Sequence, residues 1–218
     1  MRVLAIETAT QLGSVALWES GQLVASAEHQ IPNAHGDQLW RLLERCLAEA
    51  GWQRGQLDRI GVGLGPGSFT GLRVGIAFAQ GIALGLSLPL VGVGSLQALA
   101  LSLSEHPEVP RAALVDARRG EVFAQLVSAA GEPLAAPLAA PYEGARQRLT
   151  ELAGTEPLWV GEAASLIGAL RAPGRALPHA AEVASLAAQL PAASAVEPQY
   201  VRPADAVKPA LPSSPLCE

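Results

Sequence analysis

Apolar positions at the start of the chain run in short stretches and then change to helical spacing. Residues 2–7 (RVLAIE) form an apolar run that ends in an acid, followed by 13–19 (GSVALWE), a Ser20-Gly21 turn and 22–30. That pattern predicts three β-strands, the last two joined as a hairpin. Asn33 is a candidate helix N-cap, after which Leu39, Leu42, Leu43, Cys46, Leu47 and Ala50 recur at helical spacing as far as Gly51. A strand at 59–64, a glycine-rich turn at 65–71, a helix to about Gly85 and a strand at 89–94 follow. A helix capped by Ser95 and running to about Ser104 closes the first half.

The opening pattern then returns. Residues 111–116 (RAALVD) match 2–7 position by position: a cation, four apolar residues, an acid. Strands are predicted at 121–127 and, across an Ala130-Gly131 turn, at 132–138. A helix at 142–153, a strand at 157–160 and helices at 163–170 and 181–190 come next. Pro and Ala dominate from Pro191, and 203–218 is expected to be a mobile tail. Two three-stranded meanders, each leading into helices and strands, mark an internal duplication. A duplicated β-β-β-α-β-α unit is the arrangement of actin-like ATPases and sugar kinases, an α/β fold of the RNase H-like (ASKHA) type with two mixed-sheet lobes. The expected division is an N-terminal lobe over 1–108 and a smaller lobe over 109–202.

Composition narrows the function classes. Of 218 residues, 50% are hydrophobic, enough for a sizeable core. The net charge of −5 argues against a chain that binds nucleic acid by its own electrostatics. Residues 74–104 carry no charge, a length that could cross a bilayer. Gly75, Gly81, Gly85 and Pro89 interrupt it, so a helix, a strand and a second helix fit better than one span, and no membrane partner is expected. Cys46 and Cys217 suggest no disulfide framework, and His29, His35, His106 and His179 show no metal-ligand spacing. The first apolar run stops at Glu7, too soon for a signal peptide, and the expected location is the cytoplasm.

Candidate chemistry is concentrated in the run GPGSFTGLRVG at 65–75. Gly65, Gly67, Ser68, Thr70, Gly71 and Arg73 could form an anion-binding loop at a helix start, or a packing turn with Ser68 or Thr70 as the cap. Neither a P-loop nor a dinucleotide fingerprint is matched, since Leu72 stands where the first needs Lys and Thr70 where the second needs Gly. In the helix that follows, Gly71, Gly75, Ala79 and Ala83 make one row without bulk, and Ala77, Gly81 and Gly85 a second. Tight packing within the monomer and a protein–protein interface both account for such rows. His35 has Leu39 one turn on, where a metal site of His-x-x-x-His type needs a second imidazole. Actin-like ATPases carry Asp-x-Gly-Thr/Ser in the first hairpin. Here Glu7, Thr8 and Thr10 surround Ala9, and the second copy reads Asp116-Ala117-Arg118-Arg119-Gly120, a remnant nucleotide site. No catalytic residue, metal or cofactor is expected.

GPGSFTGLRVG, together with VLAIETAT, DARRGEVF and Tyr200-Val201-Arg202, resembles the TsaB (YeaZ) family over about positions 1 to 202. The resemblance implies the duplicated actin-like fold and a non-catalytic subunit of tRNA modification. Its catalytic paralogue TsaD transfers threonylcarbamoyl to adenosine 37 of ANN-decoding tRNAs. It implies TsaD as a heterodimer partner, the ATPase TsaE in the assembly, a homodimer when alone, and tRNA met within the complex. Pairing through the first-lobe helices would place His35, Leu39, Leu42, Cys46, Gly71, Gly75, Ala79 and Ala83 at the interface. An autonomous phosphotransferase of the same fold and, behind it, a metallopeptidase are the competing readings.

Overall fold

The computed structural model describes residues 1–30, 35–103, 108–192 and 195–202. The first sheet contains β1 (Arg2–Glu7), β2 (Leu12–Glu19), β3 (Gln22–Gln30), β4 (Arg59–Gly63) and β5 (Leu90–Val93), in the order β3-β2-β1-β4-β5. β2 runs antiparallel to β1 and β3, whereas β4 is parallel to β1 and β5, so the sheet is mixed. The second sheet, β8-β7-β6-β9, repeats this order without a fifth strand. It comprises β6 (Arg111–Arg118), β7 (Glu121–Val127), β8 (Leu138–Pro141) and β9 (Leu158–Val160). The matched segments RVLAIE and RAALVD are the central strands of the two sheets.

Central position explains why these strands read as apolar runs instead of alternating. Side chains of β1 point to opposite faces in turn, and both faces are covered. Leu4 and Ile6 pack with α1 (His35–Ala50) and α2 (Phe69–Leu86); Val3 and Ala5 pack with α5 (Ala180–Ala187). Gly61 on β4 lets α5 approach, since a Cβ there would lie 2.6 Å from the Ala187 Cβ. Arg59 Nη1 donates to the carbonyls of Ala187 (2.8 Å) and Leu190 (2.7 Å), closing the C-terminal end of α5.

Helices cross between the halves. α3 (Ser95–Leu101) directs Leu96, Leu99 and Ala100 at Ala113, Val115 and Phe123 of the second sheet. α5, late in the sequence, lies on the first sheet. The outer face of the second sheet is covered by α4 (Tyr142–Ala153) and a 3-10 helix at Glu162–Ile167.

Several predicted elements differ. The strand expected at 132–138 is instead β8, which begins six residues further on, with a lone bridge between Val127 and Pro133. Pro133 and Pro137 have no N–H to give a ladder. The helix expected at 163–170 is 3-10, bounded by Gly161 and Gly168 at φ of 105° and 68°. Ser95 does not cap α3 from outside; it is the first helical residue, and Gly94 is the N-cap. The helix is assigned only to Leu101. Asn33, Ser104 and the 203–218 tail lie outside the described residues.

Candidate docking face and interlobe cleft

The glycine-rich loop turns its backbone toward its own protein. Ser68 N donates to the Ala9 carbonyl (2.7 Å), and Ser68 Oγ accepts from Gly71 N (3.2 Å), capping α2. Gly65 N donates to Ser95 Oγ (3.0 Å), and Ser95 N returns a bond to Gly65 O (2.9 Å). A Cβ at Gly67 would overlap the Ala9 carbonyl, and one at Gly71 the Thr8 carbonyl. Gly67, Ser68 and Gly71 therefore pack the loop onto the β1–β2 turn, and Gly65 ties it to the start of α3. Thr70 and Arg73 are exposed on the first turns of α2.

The candidate phosphate turn is engaged in the same contact. Thr8 is fully buried, and its Oγ1 donates to Gly71 O at 2.8 Å. Glu7 is also fully buried; its Oε1 accepts from Ala9 N (2.7 Å), and its carboxyl occupies the space a Cβ at Gly63 would need. Burial pushes the Glu7 carboxyl up, opposed by the Ser95 hydroxyl and by the Ala9 and Thr8 amides. Thr10 Oγ1 accepts from Leu12 N at 3.2 Å.

Asp116 stands across a cleft of about 330 Å³ from Ala9, Thr10, Gln11, Gly67 and Ser68. Its Oδ1 accepts from Tyr142 OH (2.7 Å) and Arg118 N (2.8 Å), and Arg118 Nη1 lies 3.2 Å from Oδ2. Glu162 lines the same cleft; burial first and the Asp116 charge second push its carboxyl up. Arg118 and Arg119 sit at the β6–β7 turn with φ of 63° and 56°. Glu7 and Thr8 are turned inward and the Ser68 amide is already bonded, so none of the three is free to hold a phosphate or its metal, while Asp116 and Glu162 face the space with Arg118. Among the described residues no three His, Cys, Asp or Glu side chains converge as a metal site.

The interface expectation needs correction. Leu39, Leu42, Cys46, Gly71, Gly75, Ala79 and Ala83 are all buried in the monomer. Gly75 is filled by Thr8, and the Cys46 thiol, pushed up to about 11 by burial, faces the Val15 carbonyl. This row lies beside Leu72 and Ile76, whose bulk marks the inward side of α2 and was the signal that could have separated the two rows. For His35, the backbone begins α1 and the side chain is outside the described residues.

The second row faces outward. Ala77, Gly81 and Gly85 are exposed, and a Cβ at Gly81 or Gly85 would meet nothing within 4 Å. They border an apolar groove of about 480 Å³ between α1 and α2, with Trp40, Leu43, Phe78 and Ile82. Trp40 is held edge-on to Phe78 (6.4 Å between centroids), with the Arg54 guanidinium 4.4 Å over its ring. Leu84, on the same side of α2, is 83% exposed. Although α2 is long and apolar enough to cross a membrane, its inner row packs on the sheet. Trp40, Leu84, Tyr142 and Glu162 were not singled out by sequence pattern, because none belongs to a motif.

The family model for TsaD, the tRNA N6-adenosine threonylcarbamoyltransferase, matches residues 28–151, from the end of β3 through α4. The chain is 41% identical over 124 residues to the TsaB protein of Escherichia coli K12, covering 56% of this chain and 53% of that one. It is 30% identical over 126 residues to that of Bacillus subtilis 168, covering 58% and 55%. YeaZ from Pseudomonas aeruginosa superposes with a TM-score of 0.75 at 29% identity, over 91% of this chain and 99% of that one.

The chain belongs to this family, on its TsaB (YeaZ) branch. It spans about half the length of the curated TsaB relatives it matches, 53% to 55% in the cases given. The relatives are named for tRNA threonylcarbamoyladenosine biosynthesis. The P. aeruginosa neighbour extends the likeness into the second lobe, so the duplicated two-sheet architecture holds for both halves.

Proposed function

We propose that this TsaB-branch chain is a cytoplasmic, non-catalytic partner subunit for formation of N6-threonylcarbamoyladenosine at position 37 of ANN-decoding tRNAs. Its partner is TsaD, with TsaE joining the assembly and tRNA met within the complex. The observation that carries this reading is the outer face of α2. Glycine inside a helix costs about 1 kcal/mol relative to alanine, and Gly81 and Gly85 return none of it inside the monomer, where a Cβ has free space. A bare strip beside Trp40 and Leu84 allows close approach by another helix backbone. The family match supports TsaD as the occupant, a relative by the same family model. The same face serves a homodimer when TsaD is absent.

Non-catalytic action is supported by the inward use of Glu7 and Thr8. Replacing Gly81 with Leu, or Ala77 with Arg, should abolish co-purification with TsaD while leaving the thermal transition in place. Reconstituted tRNA modification should require this chain. Undiminished complex formation by both variants, or full TsaD activity without the chain, would overturn the proposal.

A further inference from the structure

Residues 196–202 cross from one lobe to the other along the mouth of the cleft. Val196 is buried in the first-lobe core with Ile76, Ala79 and Ala83, and its carbonyl accepts from Gln80 Nε2 (3.4 Å). Gln199 N donates to Leu64 O at 2.8 Å, at the exit of β4. Tyr200 lies on Phe69 (5.4 Å between centroids), and its hydroxyl accepts from Arg73 Nε at 3.1 Å. Val201 packs into the second-lobe cluster of Val115 and Phe123. Arg202 pairs with Glu121, donates to the Ala117 carbonyl (3.3 Å) and lies 5.6 Å over the Phe123 ring. Seven consecutive residues thus hold both edges of the cleft.

We propose that this segment is a strap that sets the angle between the lobes, with Tyr200 as its release point. The two ends are anchored by buried apolar contact and by an ion pair that also bonds backbone. The middle rests on Phe69 and Tyr200, 46% and 48% exposed, and on Arg73, whose guanidinium lies 3.8 Å over the Phe69 ring and makes a hydrogen bond to Tyr200 that is open to solvent. A partially solvated contact of that kind is the weakest link, as exposed aromatic and hydrogen-bonded pairs contribute little. Opening there releases Tyr200 from Phe69 and Arg73 of α2 and lets the second-lobe end, Val201 and Arg202, move relative to α2. The inference goes beyond the docking reading and stands or falls without a partner present.

The test uses the full chain alone. Spin labels are placed at cysteines replacing Glu49 on α1 and Arg148 on α4, both exposed, with Cys217→Ser; the buried Cys46 stays unlabelled. Pulsed dipolar spectroscopy should give one narrow distance, at least doubled in width by Tyr200→Ala with Arg202→Ala. An unchanged distribution would overturn the proposal, leaving α3 and α5 to hold the angle. Should that variant not fold, hydrogen exchange of the unaltered protein decides. The Gln199 amide should open together with the amides of the 117–121 hairpin, and exchange at the rate of free peptide would refute the strap.

Discussion

Two identical substitutions in α2 should move stability in opposite directions. At Gly81 a new Cβ meets nothing within 4 Å, so Gly81→Ala gains the helix preference of alanine, about 0.8–1 kcal/mol. For a chain of this size that corresponds to a rise of about 2–4 °C in Tm. At Gly75 the same gain is opposed by Thr8, whose Oγ1 occupies the Cβ position while its Cβ and Cγ2 lie 3.2 and 3.3 Å away. Thr8 is fully buried and cannot swing into solvent. Displacing it strains the core by about 1–3 kcal/mol and breaks the Oγ1 bond to Gly71 O, a further cost of about 1 kcal/mol. After the helix gain is subtracted, Gly75→Ala should destabilise by about 2 kcal/mol. Urea unfolding of both variants reads the two signs. Thr8→Ala removes the obstructing oxygen, so Gly75→Ala should cost less in that background, a coupling the double-mutant cycle measures. Two stabilising substitutions, or no coupling, would refute the assignment of the rows.

Other expectations concern titration and ligands. His179 is the N-cap of α5: its Nδ1 accepts from Ala181 N (3.0 Å) while Nε2 faces Glu28 at 3.2 Å. Burial first, then the Arg175 charge, lower its pKa to about 4, outweighing the half-solvated Glu28. Because the folded value lies below the unfolded one, this neutral imidazole contributes up to about 3 kcal/mol above pH 6.5. That contribution should be lost as pH falls toward 4. His179→Asn, which keeps an acceptor for the cap, should flatten the difference in urea titrations between pH 4 and 7; an identical profile would contradict it. Glu7 has the opposite sense: its raised pKa makes the fold lose stability as pH rises above 4.5 through the folded value. Glu7→Gln should therefore gain on the parent with rising pH, and a constant offset would count against a buried neutral carboxyl. Calorimetry of the isolated chain with ATP and Mg²⁺ should show no micromolar binding; tight binding with turnover would revive the phosphotransferase reading.

The order of strands and most helices was legible because local pattern and tertiary role coincide. RVLAIE and RAALVD are apolar along their length since each becomes a central strand with both faces covered, and their likeness exposed the duplication. The motif GPGSFTGLR was legible as a signature, and sequence left its packing and anion-binding uses open. Contacts across 30 or more residues decided between them: Ser68 with Ala9, Gly71 with Thr8, Ser95 with Gly65 and Glu7. The same holds for α2. Periodicity separates its two rows of small residues, but which row faces the sheet depends on Thr8 filling the space above Gly75, a neighbour 67 positions away. The strap was still less accessible, because Tyr200 and Arg202 acquire meaning when folding brings Arg73 and Glu121 beside them. Sequence by itself determined most elements, their repetition and the family; tertiary structure decided which side chains are consumed by the core and which remain exposed. The physical reason is that burial depends on the partner surface, and here that surface comes from distant segments.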